Sequence, residues 1–180
     1  MAGEAGPTLP ESRDAAVSCL ASAIAYEAGT EPAHGQAAVA QVILNRLRHP
    51  AFPKSVCGVV YQGSTRRTGC QFTFTCDGSL ARRLSARTRT AALAVATLAI
   101  DGRLPATIGA ATHYHANYVL PRWASALVRV DIIGAHIFYR FPGSAAGGMI
   151  DRTAPVAPRP DAGQFRPWGL TPQLSPPGGS

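Results

Sequence analysis

One acidic side chain stands where the helical pattern of the sequence expects an apolar one. Val17, Leu20 and Ile24 recur at the spacing of a single helix face, and the next position of that series is Glu27. A glycine and a proline end the predicted helix soon after it. An acid at this place loses solvation when it ionises and lies near the negative end of the helix dipole, so its protonated form is favoured. Glu27 is therefore a candidate general acid. The same pattern also fits a partly exposed residue or the partner of a buried arginine.

A histidine pair offers a second, competing chemistry. His113 and His115 are alternate residues, and on a strand they would share one face. Together with His136 and Asp77 they could ligate zinc, as in a metal-dependent amidase or peptidase. The pair lacks a defined third ligand, however, and such pairs are common by chance. We therefore expect no metal and no cofactor.

The stretch CQFTFTCDG, residues 70–78, has a period of two. Its cysteines and phenylalanines alternate with Gln71, Thr73 and Thr75, which predicts a strand with one apolar face and one hydrogen-bonding face. Asp77 and the glycine after it then turn the chain. The polar face suits sugar hydroxyls and amides, although an ordinary exposed edge strand has the same pattern.

Four cysteines allow three complete pairings. On one extended strand Cys70 and Cys76 would lie too far apart for a bridge unless the chain bends. A bridge from Cys57 to either of them is easier to form and fits an exported protein. Cys19, on the first helix, is expected to be a buried free thiol.

The remaining periodicity predicts a mainly α fold with a small β-sheet (α+β) in a single domain. Further helices are expected at 32–47, 55–61 and 80–100, and strands at 126–130 and 135–141. The domain is expected to span 11–143, after a flexible N-terminal segment, 1–10, and before a Pro/Gly-rich disordered tail, 144–180.

Composition fits one core and a basic surface. The 180 residues are 46% hydrophobic and carry a formal net charge of +7. No run approaches the roughly 20 apolar residues of a membrane span, and the first residues lack the pattern of a secretory signal. A basic surface attracts polyanions, which leaves open a non-catalytic wall-binding module. Its basic patch would comprise Arg82, Arg83, Arg87 and Arg89.

Four motifs, in this order, resemble the cell-wall hydrolase family of the SleB and CwlJ type, known from spore-cortex-lytic enzymes. They are AIAYEAGTEPAHGQAAVAQVILNRLRHPAFPKSVCGVVYQ, CQFTFTCDG, ATHYHANYVLPRWA and IGAHIFYRFPG, and the resemblance covers about residues 17–143. The commoner family form has an Arg before the Gly of the first motif, whereas here Ala28 is followed directly by Gly29. This departure leaves both acids, Glu27 and Glu31, in place.

The resemblance implies a fold similar to lysozymes and lytic transglycosylases, with Glu27 as the acid that cleaves peptidoglycan between N-acetylmuramic acid and N-acetylglucosamine. It also implies a monomer in the cell envelope that binds glycan strands and anionic wall polymers but not nucleic acid. A hydrolase would need a second carboxylate, from Glu31, Asp77, Asp101 or Asp131. Because none has a spacing that fixes its distance from Glu27, the single-acid transglycosylase route is favoured. The residues expected to bind substrate are Gln71, Thr73, Asp77, Thr112, His113, Tyr114 and His136.

Overall fold

The computed structural model describes residues 11–66 and 69–143, and their fold is mainly helical with one small sheet. Four α-helices precede three strands, which form an antiparallel sheet in the order β1-β3-β2. This confirms the predicted α+β class. The elements are α1 (Arg13–Ala28), α2 (Ala33–Arg48), α3 (Val56–Val60), α4 (Ala86–Ile100), β1 (His113–Ala116), β2 (Val128–Ile133) and β3 (His136–Arg140).

The first helix is the centre of the core, and α2, α3 and α4 all pack against it. Its first turn is capped by Ser12, whose side chain accepts the N–H of Ala15. Val17, Leu20 and Ile24 are buried, as the sequence predicted. Glu27 follows on the same face in the last turn, so α1 brings this acid to the edge of the core.

The second helix repeats this arrangement with a base at its end. Val39, Val42 and Ile43 are fully buried, and Arg46 continues their stripe with only 4% of its surface exposed. Asn45, next to it, donates its amide to the backbone oxygens of Gly109 and Ala111. Helix α2 therefore fixes the chain that leads into β1.

The predicted strand at 70–78 is wrong. Thr73–Thr75 form a turn of 3-10 helix, and Phe72 and Phe74 are buried on either side of Thr73. The alternation correctly marked Cys70, Phe72 and Phe74 as buried, but it was wrong for Cys76, which is exposed, and for Gln71, which is buried. A disulfide between Cys70 and Cys76 holds the bend, with the Cα atoms 6.5 Å apart. An extended strand would separate them by about 20 Å.

The predicted cysteine pairing is also wrong. Cys19 is bonded to Cys57, with 5.2 Å between the Cα atoms, and is not a free thiol. This bridge ties α1 to α3, which pack against each other. The sequence prediction failed because it assumed an extended 70–76 segment, which left Cys57 as the partner of Cys70 or Cys76.

Element boundaries differ from prediction before α4 and at β2, which spans Val128–Ile133 rather than 126–130. Helix α4 begins at Ala86 rather than near residue 80, because Ser85 caps it by accepting the N–H of Thr88. A separate 3-10 turn occupies Ser79–Ala81. Across residues 11–66 and 69–143, no helix is both long and apolar enough to cross a bilayer. The segments predicted as a flexible N-terminal segment, 1–10, and a tail, 144–180, lie outside the described residues and stay predictions.

Candidate active site

The acid at the end of α1 is held by a tyrosine from the sheet. The hydroxyl of Tyr114 donates to Glu27 Oε2 over 3.0 Å. Burial raises the pKa of Tyr114 well above its usual value, so the phenol keeps its proton and acts as the donor. Glu27 itself is half-buried, with Tyr114 beneath it. One carboxyl oxygen is therefore oriented by β1, and part of the residue reaches the surface.

The pKa of Glu27 is raised to about 7, chiefly because burial removes water from its charged form. The hydrogen bond from Tyr114 and the positive charge of Arg46 lower it, whereas the negative charge of Asp77 raises it. Desolvation outweighs the opposing contributions. A carboxyl group in this range holds a proton near neutral pH and can also act as a base once it has given the proton away.

The buried base near this acid is Arg46. Its Nε donates to the backbone oxygen of Thr112 over 2.7 Å, and its guanidinium lies 5.3 Å from the ring centre of Phe52 and 5.4 Å from that of Phe72. Desolvation lowers the pKa of Arg46 to about 10, so it remains charged at neutral pH. Sequence reasoning missed this residue, although Arg46 falls seven residues after Val39 on the helix face already predicted to be buried.

The two faces of β1 have different surroundings. Tyr114 is paired with Phe138 of β3 and lies on the side of Glu27. His113 and His115 point to the opposite side, where both rings contact Trp123. Alternation along the strand thus sends Tyr114 to the acid and the histidine pair into a separate aromatic cluster.

Thr112 and His113 are the most deeply buried of the predicted substrate-binding residues. Thr112 and His113 are 2% and 3% exposed, and Thr112 Oγ1 and His113 Nδ1 hydrogen-bond to each other over 2.9 Å. Burial, followed by the charges of Arg46 and His49, lowers the pKa of His113 to about 3, so its ring is neutral. In this conformation these side chains offer almost no surface to a saccharide.

His136 supports the tyrosine. Its ring stands edge-on to that of Tyr114, with 5.1 Å between centres, and its pKa is lowered mainly by burial. Its Nδ1 lies 3.8 Å from Glu31 Oε1. His136 is therefore packed next to the residue that holds Glu27.

The other predicted binding residues lie on the loop closed by the Cys70–Cys76 disulfide or, in the case of Asp77, directly after it. Gln71 is buried, Thr73 is half-buried and Asp77 is exposed. The Asp77 carboxylate accepts the N–H of Ser79 over 2.7 Å, and hydrogen bonding from Ser79 lowers the pKa of Asp77. Because Asp77 also raises the pKa of Glu27, the loop brings an ionised carboxylate into electrostatic range of the acid.

The histidines do not assemble a metal centre within the part of the chain that the structure describes. There, no group of three or more His, Cys, Asp or Glu side chains has an arrangement that could hold a metal ion. The ring nitrogens of His115 instead hydrogen-bond to the backbone oxygen of Ala116 and to the hydroxyl of Tyr139. The zinc alternative therefore finds no support in the placement of His113, His115, His136 and Asp77.

A groove of about 870 Å³ lies on another side of α1, between that helix, the start of α4 and the segment 80–84. Tyr26 contributes to its wall, but Glu27 is not among its lining residues. The candidate site is therefore defined by the contacts of the Glu27 carboxyl and not by this groove.

Two solved catalytic domains have a similar fold. That of the Bacillus cereus SleB protein matches with a TM-score of 0.54 and 29% identity, over 78% of this chain and 100% of that one. The catalytic domain of the germination-specific lytic transglycosylase SleB from Bacillus anthracis matches with a TM-score of 0.54 and 30% identity, over 74% and 99% of the two chains. A helical domain of this shape, with an acid presented beside a small antiparallel sheet, belongs to the lysozyme-like class.

Within that class, the chain belongs to the cell wall hydrolase family, whose family model matches residues 30–139. Glu27 lies just before the matched range. Spore cortex-lytic enzymes are similar in sequence: 35% identical over 123 residues in Halalkalibacterium halodurans and 35% over 119 residues in Bacillus subtilis. These matches cover 68% and 66% of this chain, but only 34% and 35% of the relatives. The chain thus spans about a third of the length of these relatives.

Proposed function

We propose that this domain cleaves the glycan strands of peptidoglycan between N-acetylmuramic acid and N-acetylglucosamine, as a lytic transglycosylase with Glu27 as general acid and base. The observation that carries the proposal is the state of Glu27, a half-buried acid with a pKa of about 7 held by Tyr114. Membership of the cell wall hydrolase family and the similarity to the catalytic domain of the Bacillus anthracis lytic transglycosylase support it.

The proposed reaction uses one carboxyl group twice. Because Tyr114 donates to Oε2, the proton of neutral Glu27 sits on Oε1, and this atom gives it to the glycosidic oxygen as the C1–O4 bond breaks. The 6-hydroxyl of the muramoyl residue then bonds to C1, and the Glu27 carboxylate removes its proton. The product is a 1,6-anhydro end, no water is consumed, and Glu27 returns to its protonated form.

The surroundings of the other carboxylates favour this route. Glu31 Oε1 accepts the N–H of Ala135, and Asp101 accepts a bidentate pair of hydrogen bonds from Arg13 at the start of α1. Asp131 is exposed on β2 and accepts the N–H of Ile132. Of the four candidate second carboxylates, Asp77 is the one whose charge acts on the pKa of Glu27.

Asp77 favours one second candidate, a lysozyme-like hydrolase. It is ionised, exposed and close enough to act on the pKa of Glu27, so a protonated and an unprotonated carboxyl group stand near each other. In that mechanism Asp77 would activate water or bond to the sugar, and the product would have a reducing end.

Product analysis separates these mechanisms. Purified peptidoglycan is digested and the masses of the released muropeptides are measured by mass spectrometry. Anhydro ends support the transglycosylase, and reducing ends support the hydrolase. Asp77→Asn should abolish turnover only in the hydrolase. In the transglycosylase its main effect is to lower the pKa of Glu27, because a nearby negative charge has been removed. Loss of activity with a chelator and its return with zinc would support the metal alternative instead, and binding without turnover would support a wall-binding module.

A location in the cell envelope and attraction to anionic wall polymers remain part of this proposal. The Arg-rich surface supports the second point, since a formal charge of +7 would concentrate the protein on a polyanionic wall.

A further inference from the structure

The second acid of the first motif, Glu31, makes contacts that differ from those of Glu27. It lies in the connection between α1 and α2, and only 11% of its side chain is exposed. Its Oε1 accepts the N–H of Ala135 over 3.0 Å and is 3.8 Å from His136 Nδ1. Ala135 belongs to the turn between β2 and β3, so this carboxylate joins the helical part of the domain to the sheet.

Two glycines make room for this carboxylate. Gly134, in the same turn, has a φ of +58°, and a Cβ there would overlap Glu31 Oε2. On the other side, a Cβ at Gly35 of α2 would lie 3.0 Å from Glu31 Cβ. The backbone of Gly134 and that of Gly35 thus enclose Glu31 from two directions. A side chain at Gly134 would collide with the Glu31 carboxylate in this arrangement.

The turn that Glu31 holds leads directly to the residues beneath Glu27. β3 begins at His136, whose ring packs edge-on against Tyr114. β3 also pairs with β1, where Phe138 lies opposite Tyr114. Tyr114 in turn donates to Glu27. The contacts therefore run from Glu31 through the turn and β3 to the tyrosine that orients the acid.

We infer that Glu31 is a positioning residue: by fixing the β2–β3 turn against the α1–α2 connection, it keeps the Tyr114 hydroxyl on Glu27 Oε2. This role rests on the proposed function of Glu27. It also removes Glu31 from the set of possible second carboxylates, because Oε1 holds the turn and Oε2 is enclosed between Gly134 and Gly35.

The pKa of Glu27 distinguishes positioning from direct electrostatics by sign. The groups that act on Glu27 are Tyr114 from β1, Arg46 from α2 and Asp77 directly after the disulfide-closed loop, and the group that faces Glu31 is His136 of β3. Removing a negative charge nearby would lower the pKa of Glu27 directly. Loosening Tyr114 would raise it, because the hydrogen bond from Tyr114 is one of the contacts that lower it.

The test compares Glu31→Ala and Glu31→Asp with the wild-type protein, using a carbon-13 NMR titration of the Glu27 carboxyl. Glu31→Asp keeps the charge but shortens the side chain, so it tests only whether the carboxylate reaches Ala135. It also keeps the inference testable if Glu31→Ala does not fold. Both variants should raise the pKa of Glu27 and lower turnover roughly 10-fold or more. Glu31→Gln keeps an oxygen that can accept the N–H of Ala135. This variant should therefore retain most of the wild-type turnover.

Glu11 provides a matched control. It too accepts backbone N–H groups, from Val56 and Cys57, but it precedes α1, and the length of that helix, about 24 Å, separates it from Glu27. Glu11→Ala should lower the melting temperature without moving the pKa of Glu27. In a Tyr114→Phe background, Glu31→Asp should add no further shift.

An unchanged or lowered pKa of Glu27 in Glu31→Asp, or a shift of equal size in Glu11→Ala, would overturn this inference. Failure of the proposed function gives a different result. In that case Glu27→Gln would keep its turnover on peptidoglycan, while the NMR titration would still report whether Glu31 positions Tyr114.

Discussion

Glu27 and Arg46 occupy equivalent places on two adjacent helices and influence each other's charge across the core. Each follows the last residues of a buried apolar stripe, Glu27 on α1 and Arg46 on α2. The charge of Arg46 lowers the pKa of Glu27, and that of Glu27 raises the pKa of Arg46. Among the described residues no ion pair links them: Arg46 Nε donates to the backbone oxygen of Thr112, and Glu27 Oε2 accepts from Tyr114. The acid is therefore kept protonated by burial while a buried base limits the size of the shift.

Arg46→Gln should raise the pKa of Glu27, because it removes the positive charge that favours the carboxylate. The activity that needs protonated Glu27 should then persist to higher pH, although the maximum rate falls. Loss of the bond to Thr112 should also cost about 1–3 kcal/mol of unfolding free energy. A pH–activity profile and a denaturant titration check both effects. Arg48→Gln, an exposed change on the same helix, is the control, and an equal shift there would contradict the role given to Arg46.

Tyr114→Phe tests the hydrogen bond to Glu27 with little change in packing. The bond favours the carboxylate, so its loss should raise the pKa of Glu27 and move the alkaline limb of the pH–activity profile upward. Turnover at the optimum should fall roughly 10- to 100-fold, because the acid is no longer oriented. Tyr139→Phe removes a comparable hydroxyl on the other face of the sheet, where it bonds to His115. If both variants behave alike, Tyr114 has no special role.

Glu27→Gln should stabilise the domain at alkaline pH. The folded-state pKa of Glu27 is raised from 4.5 to about 7, so the folded protein binds more protons than the unfolded chain between these values and loses stability as the pH rises through them. Glutamine has no such charge to bury. Thermal melts at pH 8 should favour the variant by about 1–3 kcal/mol, and the difference should vanish near pH 4. A Glu27→Gln variant that is less stable than wild type at pH 8 would show that the ionised Glu27 carboxylate does not destabilise the folded protein.

The two disulfides should differ in their effects. Cys19 and Cys57 are separated by 38 residues, whereas Cys70 and Cys76 are separated by 6, so the first bridge restricts the unfolded chain more. Replacing Cys19 and Cys57 by serine should cost about 4 kcal/mol of stability, and replacing Cys70 and Cys76 about 2 kcal/mol. The second pair should nevertheless cause the larger loss of turnover, because it holds the loop that bears Thr73 and leads into Asp77. Calorimetry and peptidoglycan turnover on both double variants check this order.

Helical periodicity anticipated much of the fold and the position of the acid. It was reliable for α1 and α2 because their stripes face a continuous core, and it contained the signal for Arg46 in the same way as for Glu27. It failed at 70–78, where Phe72 and Phe74 are buried by a short 3-10 turn that a disulfide closes. An alternating pattern over nine residues does not show that two of its own cysteines are bonded to each other and bend the chain.

The contacts of Glu31, His136 and Tyr114 could not be predicted from spacing alone. They join a helix connection to a strand turn more than 100 residues later in the chain, and the pairing of β1 with β3 brings them together. Family resemblance pointed equally to His113, Tyr114 and His136. Only the pairing of β1 with β3 shows that Tyr114 faces Glu27 and that His113 faces Trp123 on the opposite side.

The most direct test of the central claim is turnover of purified peptidoglycan by Glu27→Gln, followed by mass analysis of the released muropeptides. Glutamine preserves the size of the side chain and can still accept the hydrogen bond from Tyr114, but it has no proton of suitable acidity to give. The account predicts a folded protein with a loss of at least about 10³-fold in rate and no anhydro products above background. Release of anhydro muropeptides at the wild-type rate would contradict it.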